Sequence, residues 1–116
     1  MEGKSSSTPL VSVITNCLNA EKYLHDAIES VLAQTYCNWE LIIWDNCSID
    51  RTADIARSYD DERIRYHLAD HYTALGEARN LAIRESHGEI IGFLDSDDVW
   101  LPEKLEKQVP LFLNPK

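Results

Sequence analysis

Short apolar runs rich in strand-forming residues alternate along the chain with segments whose apolar residues recur at helical spacing. No other feature limits the possible folds as strongly. Leu10-Val11-Ser12-Val13-Ile14 follows Pro9 and ends at the polar stretch Thr15-Asn16-Cys17, as a buried strand entering a loop does. From Glu21 the pattern shifts: Leu24, Ala27, Ile28, Val31 and Leu32 share one helical face, with Asn19 available as a cap. Trp39 to Trp44 is a second apolar run, closed by the turn formers Asp45-Asn46-Cys47-Ser48, and Asp50 offers a cap to a helix through Ala53, Ile55 and Ala56. Arg63 to Leu68 alternates polar and apolar, which predicts a strand with one wet face near a sheet edge.

Leu75, Ala78, Leu81 and Ala82 give the next helix its stripe, and Gly88 stands where a left-handed C-terminal residue is wanted. Ile90-Ile91-Gly92-Phe93-Leu94 predicts a central strand covered on both faces. Pro102 pre-sets the first turn of a last helix whose inner stripe is Leu105, Val109 and Phe112. Strictly alternating strands and helices require parallel pairing with right-handed crossovers, hence an α/β doubly wound sheet with helices on both faces. A chain of 116 residues has room for one such domain. It is expected to occupy residues 9–116, after a polar, Ser-rich leader at 1–8 that reads as disordered or as left over from cloning.

Ligands of open α/β sheets bind beyond the carboxyl ends of the strands. Asn16, then Asp45 with Asn46, then Asp95 to Asp98 follow three of the expected strands and converge on that edge. Asp95-Ser96-Asp97 is the most suggestive of these, since two carboxylates beyond a buried strand suit Mg²⁺ or Mn²⁺, which favour one or two carboxylates plus phosphate oxygens. The same tripeptide also reads as plain turn chemistry, as do Asp45 and Asp50. The formal charge of -9 argues against nucleic acid, whose phosphates call for Lys and Arg. A small anionic ligand is compatible with it when a cation stands between. No apolar run approaches the ~20 residues that cross a bilayer. Cys17, Cys37 and Cys47 form no CxxC pair and fit buried thiols of a reducing cytosol. Trp39, Trp44 and Trp100 read as packing residues, and His25, His67, His71 and His87 show no metal-ligand spacing.

Several segments in register resemble family 2 glycosyltransferases of GT-A fold: Ser12-Val13-Ile14, Asn19 to Leu24, Ala27 to Tyr36, Trp39 to Ile43, Gly76-Glu77-Ala78-Arg79-Asn80 and Phe93-Leu94-Asp95-Ser96-Asp97-Asp98. The resemblance runs from about Pro9 to Val109 and implies a GT-A, Rossmann-like sheet, truncated after the DxD strand and its following helix. It further implies a domain that binds a nucleotide-diphosphate sugar, a UDP-sugar being favoured, through a divalent metal, Mg²⁺ or Mn²⁺. The sugar would pass with inversion to a saccharide or lipid-linked acceptor in polysaccharide biosynthesis, in the cytoplasm or at the inner face of the membrane. By resemblance Asn46 matches the position that bonds the base, with Asp45 its acidic neighbour. Asp95 lies by the ribose, Asp97 ligates the metal, and Arg79 with Asn80 matches a pair near the donor. The general base and acceptor pocket are expected beyond Lys116, in which case this chain alone is an inactive fragment.

The chain departs from the family pattern at two places. Asn16-Cys17-Leu18 stands where the family reads Pro-Thr-Tyr, removing an aromatic beside the base, and Asn46-Cys47 replaces Asp-Gly. An amide both donates and accepts where a carboxylate only accepts, so base selectivity is loosened. Two other readings stay open. One is a non-catalytic binding module of the same fold. The other is a haloacid-dehalogenase-type phosphatase, because Asp95-Ser96-Asp97-Asp98-Val99 also fits DxDx(T/V), although that motif normally opens its domain.

Overall fold

In a computed structural model of the chain, residues 8–113 are described. The expected leader lies outside them except for Thr8, whose carbonyl accepts a hydrogen bond from Asn38 Nδ2 at 2.6 Å. The elements follow the expected order: β1 (Val11–Cys17), α1 (Leu24–Leu32), β2 (Trp39–Asp45), α2 (Thr52–Arg57), β3 (Ile64–Leu68), α3 (Leu75–Arg84), β4 (Ile90–Phe93) and α4 (Lys104–Leu113). The strands pair in parallel in the order β3-β2-β1-β4. The alternating β3 is indeed an edge strand.

Side chains alternate across a strand, so each strand feeds two cores. Val11, Val13, Trp39, Leu41 and Ile43 face Leu24, Ala27, Ile28 and Val31 of α1, Ala56 of α2, and Leu105 and Val109 of α4. Ile14 and Ile42 face the opposite way, against Ala82 of α3, with Trp44, Ile83 and Ile91 packed around them. Helices therefore cover both faces. Each aliphatic side chain withdrawn fully from water contributes about 1.5–3 kcal/mol. Such burial holds a helix as short as the nine-residue α1, which would be marginal in isolation.

Several local expectations are corrected. β1 does not end at Ile14 but continues through Thr15-Asn16-Cys17, because Asn16 and Cys17 stay in register with Trp44 and Asp45 of β2. Ladder pairing there outweighs polar character. Asn19 does not cap α1, which begins at Leu24 rather than Glu21; it adopts φ 53° and its Oδ1 accepts the Ile49 N–H at 2.8 Å. Asn tolerates that left-handed backbone better than most residues. Gly88 is not left-handed, since no described glycine has positive φ. It is needed for close approach: its N–H donates to Ser12 Oγ at 2.7 Å, and an added Cβ would lie 2.5 Å from that oxygen and 2.7 Å from the Leu10 carbonyl. β4 is an edge strand in this chain, half-buried rather than central. Pro102 sits in the turn before α4 rather than in its first turn, and Phe112 is exposed, so the inner stripe is Leu105 and Val109.

At the amino end of the strands lies a buried acid. Glu40 Oε2 accepts from Ser12 Oγ and from the His87 N–H, each at 2.5 Å, while Oε1 lies 3.3 Å from Arg65 Nη2. Burial alone would raise this carboxyl, but the bonds from Ser12 and His87 and the Arg65 charge hold it below its ordinary range.

Candidate functional site

β1 and β4 are hydrogen-bonded neighbours, and at their carboxyl ends a cleft of about 410 Å³ opens. Asn16 reaches it from the end of β1, Arg79 from α3, and Asp95, Ser96 and Asp97 from the loop after β4. This loop is a tight turn, with the Asp98 N–H donating to the Asp95 carbonyl at 3.0 Å. The turn brings carboxylate oxygens of Asp95, Asp97 and Asp98 within 4.8 Å of one another, all exposed. Three hard oxygen donors at that spacing fit Mg²⁺ or Mn²⁺. Asp98 is an addition to the sequence reading, which placed the metal on Asp97.

Arg79 carries the counter-charge. Its Nη2 lies 3.8 Å from Asp95 Oδ1, and its guanidinium sits 5.3 Å over the Phe93 ring. Asn16 Nδ2 is buried without a hydrogen-bond partner among the described residues, leaving a donor at the wall of the cleft. Leu18, Tyr23 and Leu75 also line it, although the sequence marked Leu18 only for the aromatic it replaces and Leu75 only as part of a helix stripe, and gave none of the three a place in the site. The exposed Tyr23 comes from the same loop that lacks the family's usual aromatic at Leu18. Its place on the rim was unreadable while α1 was expected to start at Glu21.

Asp45, Asn46 and Asn80 do not line this cleft. Asp45 is buried: Oδ1 accepts the Ser48 N–H at 2.8 Å and Oδ2 accepts Tyr66 Oη–H at 2.5 Å. Burial and that carboxylate raise the Tyr66 hydroxyl above its ordinary value. Asn46 spends both ends of its amide on Thr73, donating Nδ2–H to the carbonyl at 2.8 Å and accepting the N–H at 3.1 Å. It thereby pins the segment that leads into α3. Asn80 is exposed on α3.

The loops after β1 and β2 are stitched together. Asn19 N–H donates to Ser48 Oγ, Ala20 N–H to Thr52 Oγ1 and Glu21 N–H to Asp50 Oδ2, while Ile49 and Arg51 N–H return bonds to Asn19 Oδ1 and Glu21 Oε1. Asp50 Oδ1 also accepts the Thr52 N–H at 2.9 Å, but it stands one residue ahead of the N-cap, which is Arg51 and makes no side-chain cap bond, so the expected cap of α2 is corrected. A larger hollow of about 660 Å³ crosses these loops, but its Asn19, Glu21 and Asp50 are occupied by the stitching. Cys17 is buried, and desolvation, with Asp45 and Asp50 adding, pushes its thiol up to about 12. That suits the inert reading.

Cys47 occupies φ 75°, where a side chain is strained, at a position where the resemblance to family 2 glycosyltransferases implies glycine. Cys47→Gly is therefore expected to stabilise the fold by about 0.5–1 kcal/mol, the left-handed strain relieved less the entropy glycine adds to the unfolded chain. A thermal melt checks this: a midpoint raised by roughly 2–5 °C is expected, and a lowered one would mean that the Cys47 thiol contact to the Ala69 carbonyl at 3.5 Å is worth more than the strain.

Comparison with known proteins agrees with this architecture. A family model described as Glycosyl transferase family 2 matches residues 12–116. TuaG of Bacillus subtilis, a glycosyltransferase named for teichuronic acid biosynthesis, is 45% identical over 90% of this chain and 42% of its own length. WfgD of Escherichia coli, named UDP-Glc:alpha-D-GlcNAc-diphosphoundecaprenol beta-1,3-glucosyltransferase, is 41% identical over 90% of this chain and 41% of its own. The chain thus spans about two fifths of these relatives' length. Among solved structures, S. aureus TarS 1-349 in complex with UDP-GlcNAc superposes with a TM-score of 0.84 at 28% identity, covering 90% of this chain and 31% of that one. The sheet and helices have the GT-A arrangement. Among the described residues, no helix is long and apolar enough to cross a membrane.

Proposed function

The chain belongs to glycosyl transferase family 2, and from that premise we propose that residues 9–116 form the donor-binding domain of a glycosyltransferase that takes its sugar from a nucleotide diphosphate. Membership in this family removes the phosphatase reading. The observation that carries the proposal is the convergence of Asn16, Arg79, Asp95 and Asp97 on one cleft at the carboxyl edge of the sheet. UDP-sugars are the favoured donors, in keeping with the UDP-GlcNAc complex of TarS and the UDP-Glc in the name of WfgD. WfgD's name also supports a lipid-linked saccharide acceptor, which would place the reaction at the cytoplasmic face of the membrane.

In this reading Asp97, with Asp95 and Asp98 beside it, holds a divalent cation. The ion, when bound, supplies neutralisation of the charge that grows on the diphosphate leaving group. Arg79 pairs with the remaining anionic oxygens in the fixed fork of its guanidinium. The partnerless Asn16 amide offers a hydrogen bond to a polar group of the nucleotide. Asn46 acts at one remove, by fixing the start of α3 and hence the reach of Arg79. Transfer with inversion needs a base that deprotonates the acceptor hydroxyl, and we assign that base to a segment beyond residue 116.

Calorimetric titration tests the proposal. UDP is expected to bind in the presence of Mn²⁺ or Mg²⁺ and to lose most of its affinity with chelator. Metal-independent binding, or none to any nucleoside diphosphate, defeats it.

A further inference from the structure

We propose that Arg79 serves as a stand-in cation for Asp95, so that the metal ion and the nucleotide diphosphate each favour the other's binding by drawing Arg79 off the acids. This deepens the donor-site reading and rests on it. Arg79 is the only Lys or Arg among the described residues that line the cleft, and it faces an acidic turn in a chain of net charge -9. The guanidinium is held from two directions, by Asp95 Oδ1 at 3.8 Å and by the face of Phe93 at 5.3 Å. Phe93 is 47% exposed at the end of an edge strand, so part of its ring is open to the guanidinium. It reads as a positioning residue that gives a flexible side chain a platform beside the acids.

The consequence follows from Coulomb's law. A divalent ion arriving at Asp95 meets a positive charge already about 4 Å from the same oxygen, so the two compete. Both side chains are substantially exposed, 41% for Arg79 and 64% for Asp95, so their pair is weak and readily exchanged. A diphosphate offers Arg79 a bidentate partner in the same cleft, which frees Asp95 for the ion. By linkage, the ion then improves diphosphate binding by the same factor.

Mn²⁺ binding to the chain, followed by electron paramagnetic resonance of the free ion with and without UDP, tests this. Without UDP, Arg79→Gln is expected to bind Mn²⁺ roughly three- to tenfold more tightly than wild type, the repulsion of one charge after solvent screening. Arg79→Lys, which keeps the charge, should stay near wild type, and Phe93→Leu should shift in the direction of Arg79→Gln by a smaller factor. UDP affinity at saturating Mn²⁺ should fall in Arg79→Gln, so the substitution moves the two affinities in opposite senses. Melting curves confirm that the variants fold, as a half-exposed helix position allows. Equal or weaker Mn²⁺ binding by Arg79→Gln without UDP overturns the inference and leaves the donor site standing. Absence of Mn²⁺ binding by wild type even with UDP overturns both.

Discussion

Asp97→Ala is expected to leave the chain folded and to reduce metal-dependent UDP binding by about a hundredfold or more, the effect of deleting a charged ligand from a divalent site. The two halves of this expectation rest on different observations. Asp97 is exposed at the crest of the turn after β4, so the fold has little to lose, and a surface change of this kind falls within about 0.5 kcal/mol of neutral. The cleft, by contrast, loses one of the three carboxylates whose oxygens lie within 4.8 Å of one another. Calorimetry with UDP and Mn²⁺, beside a thermal melt, separates the two. Unchanged nucleotide affinity would mean that the acids are only a solvated turn, the plain reading that the tripeptide allows by itself.

The second large effect lies at the opposite end of the sheet and concerns folding. Glu40→Ala is expected to destabilise the chain by about 2–4 kcal/mol, because it removes the one acceptor shared by a buried hydroxyl and a backbone N–H, together with the counter-charge of the partly exposed Arg65. The Ser12 hydroxyl and the His87 N–H would lose their acceptor, while Arg65 would lose a counter-charge but keep its bond to the Glu85 carbonyl. Against a total stability of about 5–15 kcal/mol, that is a large fraction. Glu40→Gln keeps one acceptor oxygen and should cost less, about 1–3 kcal/mol.

The pH dependence has a definite sign. The Glu40 carboxyl is held below its ordinary value of 4.5 in the folded chain, so its contribution is complete above that value. It is lost as pH falls through the lowered one. Denaturant melts of wild type and Glu40→Gln should therefore converge in strongly acidic solution. Curves that stay parallel across that range would show that charge is not what Glu40 contributes.

Glu40 also marks where sequence reading stopped. A glutamate between Trp39 and Leu41 in an apolar run looks like an interruption, and only the register that sets it beside Ser12, with Arg65 and Gly88 close by, shows why it is there. The periodicities of Val11 to Ile14, of Leu24 to Val31 and of the Ile64 to Leu68 alternation located the elements, since burial imposes those patterns directly. Element ends were harder. Asn19 and Gly88 have the residue types of a cap and a left-handed stop, yet each answers to a distant strand or loop, which local spacing cannot reveal. The candidate site was legible to a similar extent. Asn16, Arg79, Asp95 and Asp97 meet in one cleft, whereas Asp45 and Asn46 follow the right strand but turn their polar groups inward to Tyr66 and Thr73. Strand order brings residues to an edge; side-chain bonding decides which of them face solvent.

The two walls of the cleft differ in stiffness. On the side of Asn19 and Ala20, side chains of one connecting loop grip the backbone of the next, and each bond that opens exposes another group that must be re-solvated. On the side of Arg79 and Asp95, the link among the described residues is an exposed ion pair between a helix and a turn. The cleft is thus a vice with one jaw latched through its backbone, while on the other it is the charged side chains, not the helix that carries Arg79, that are loosely held.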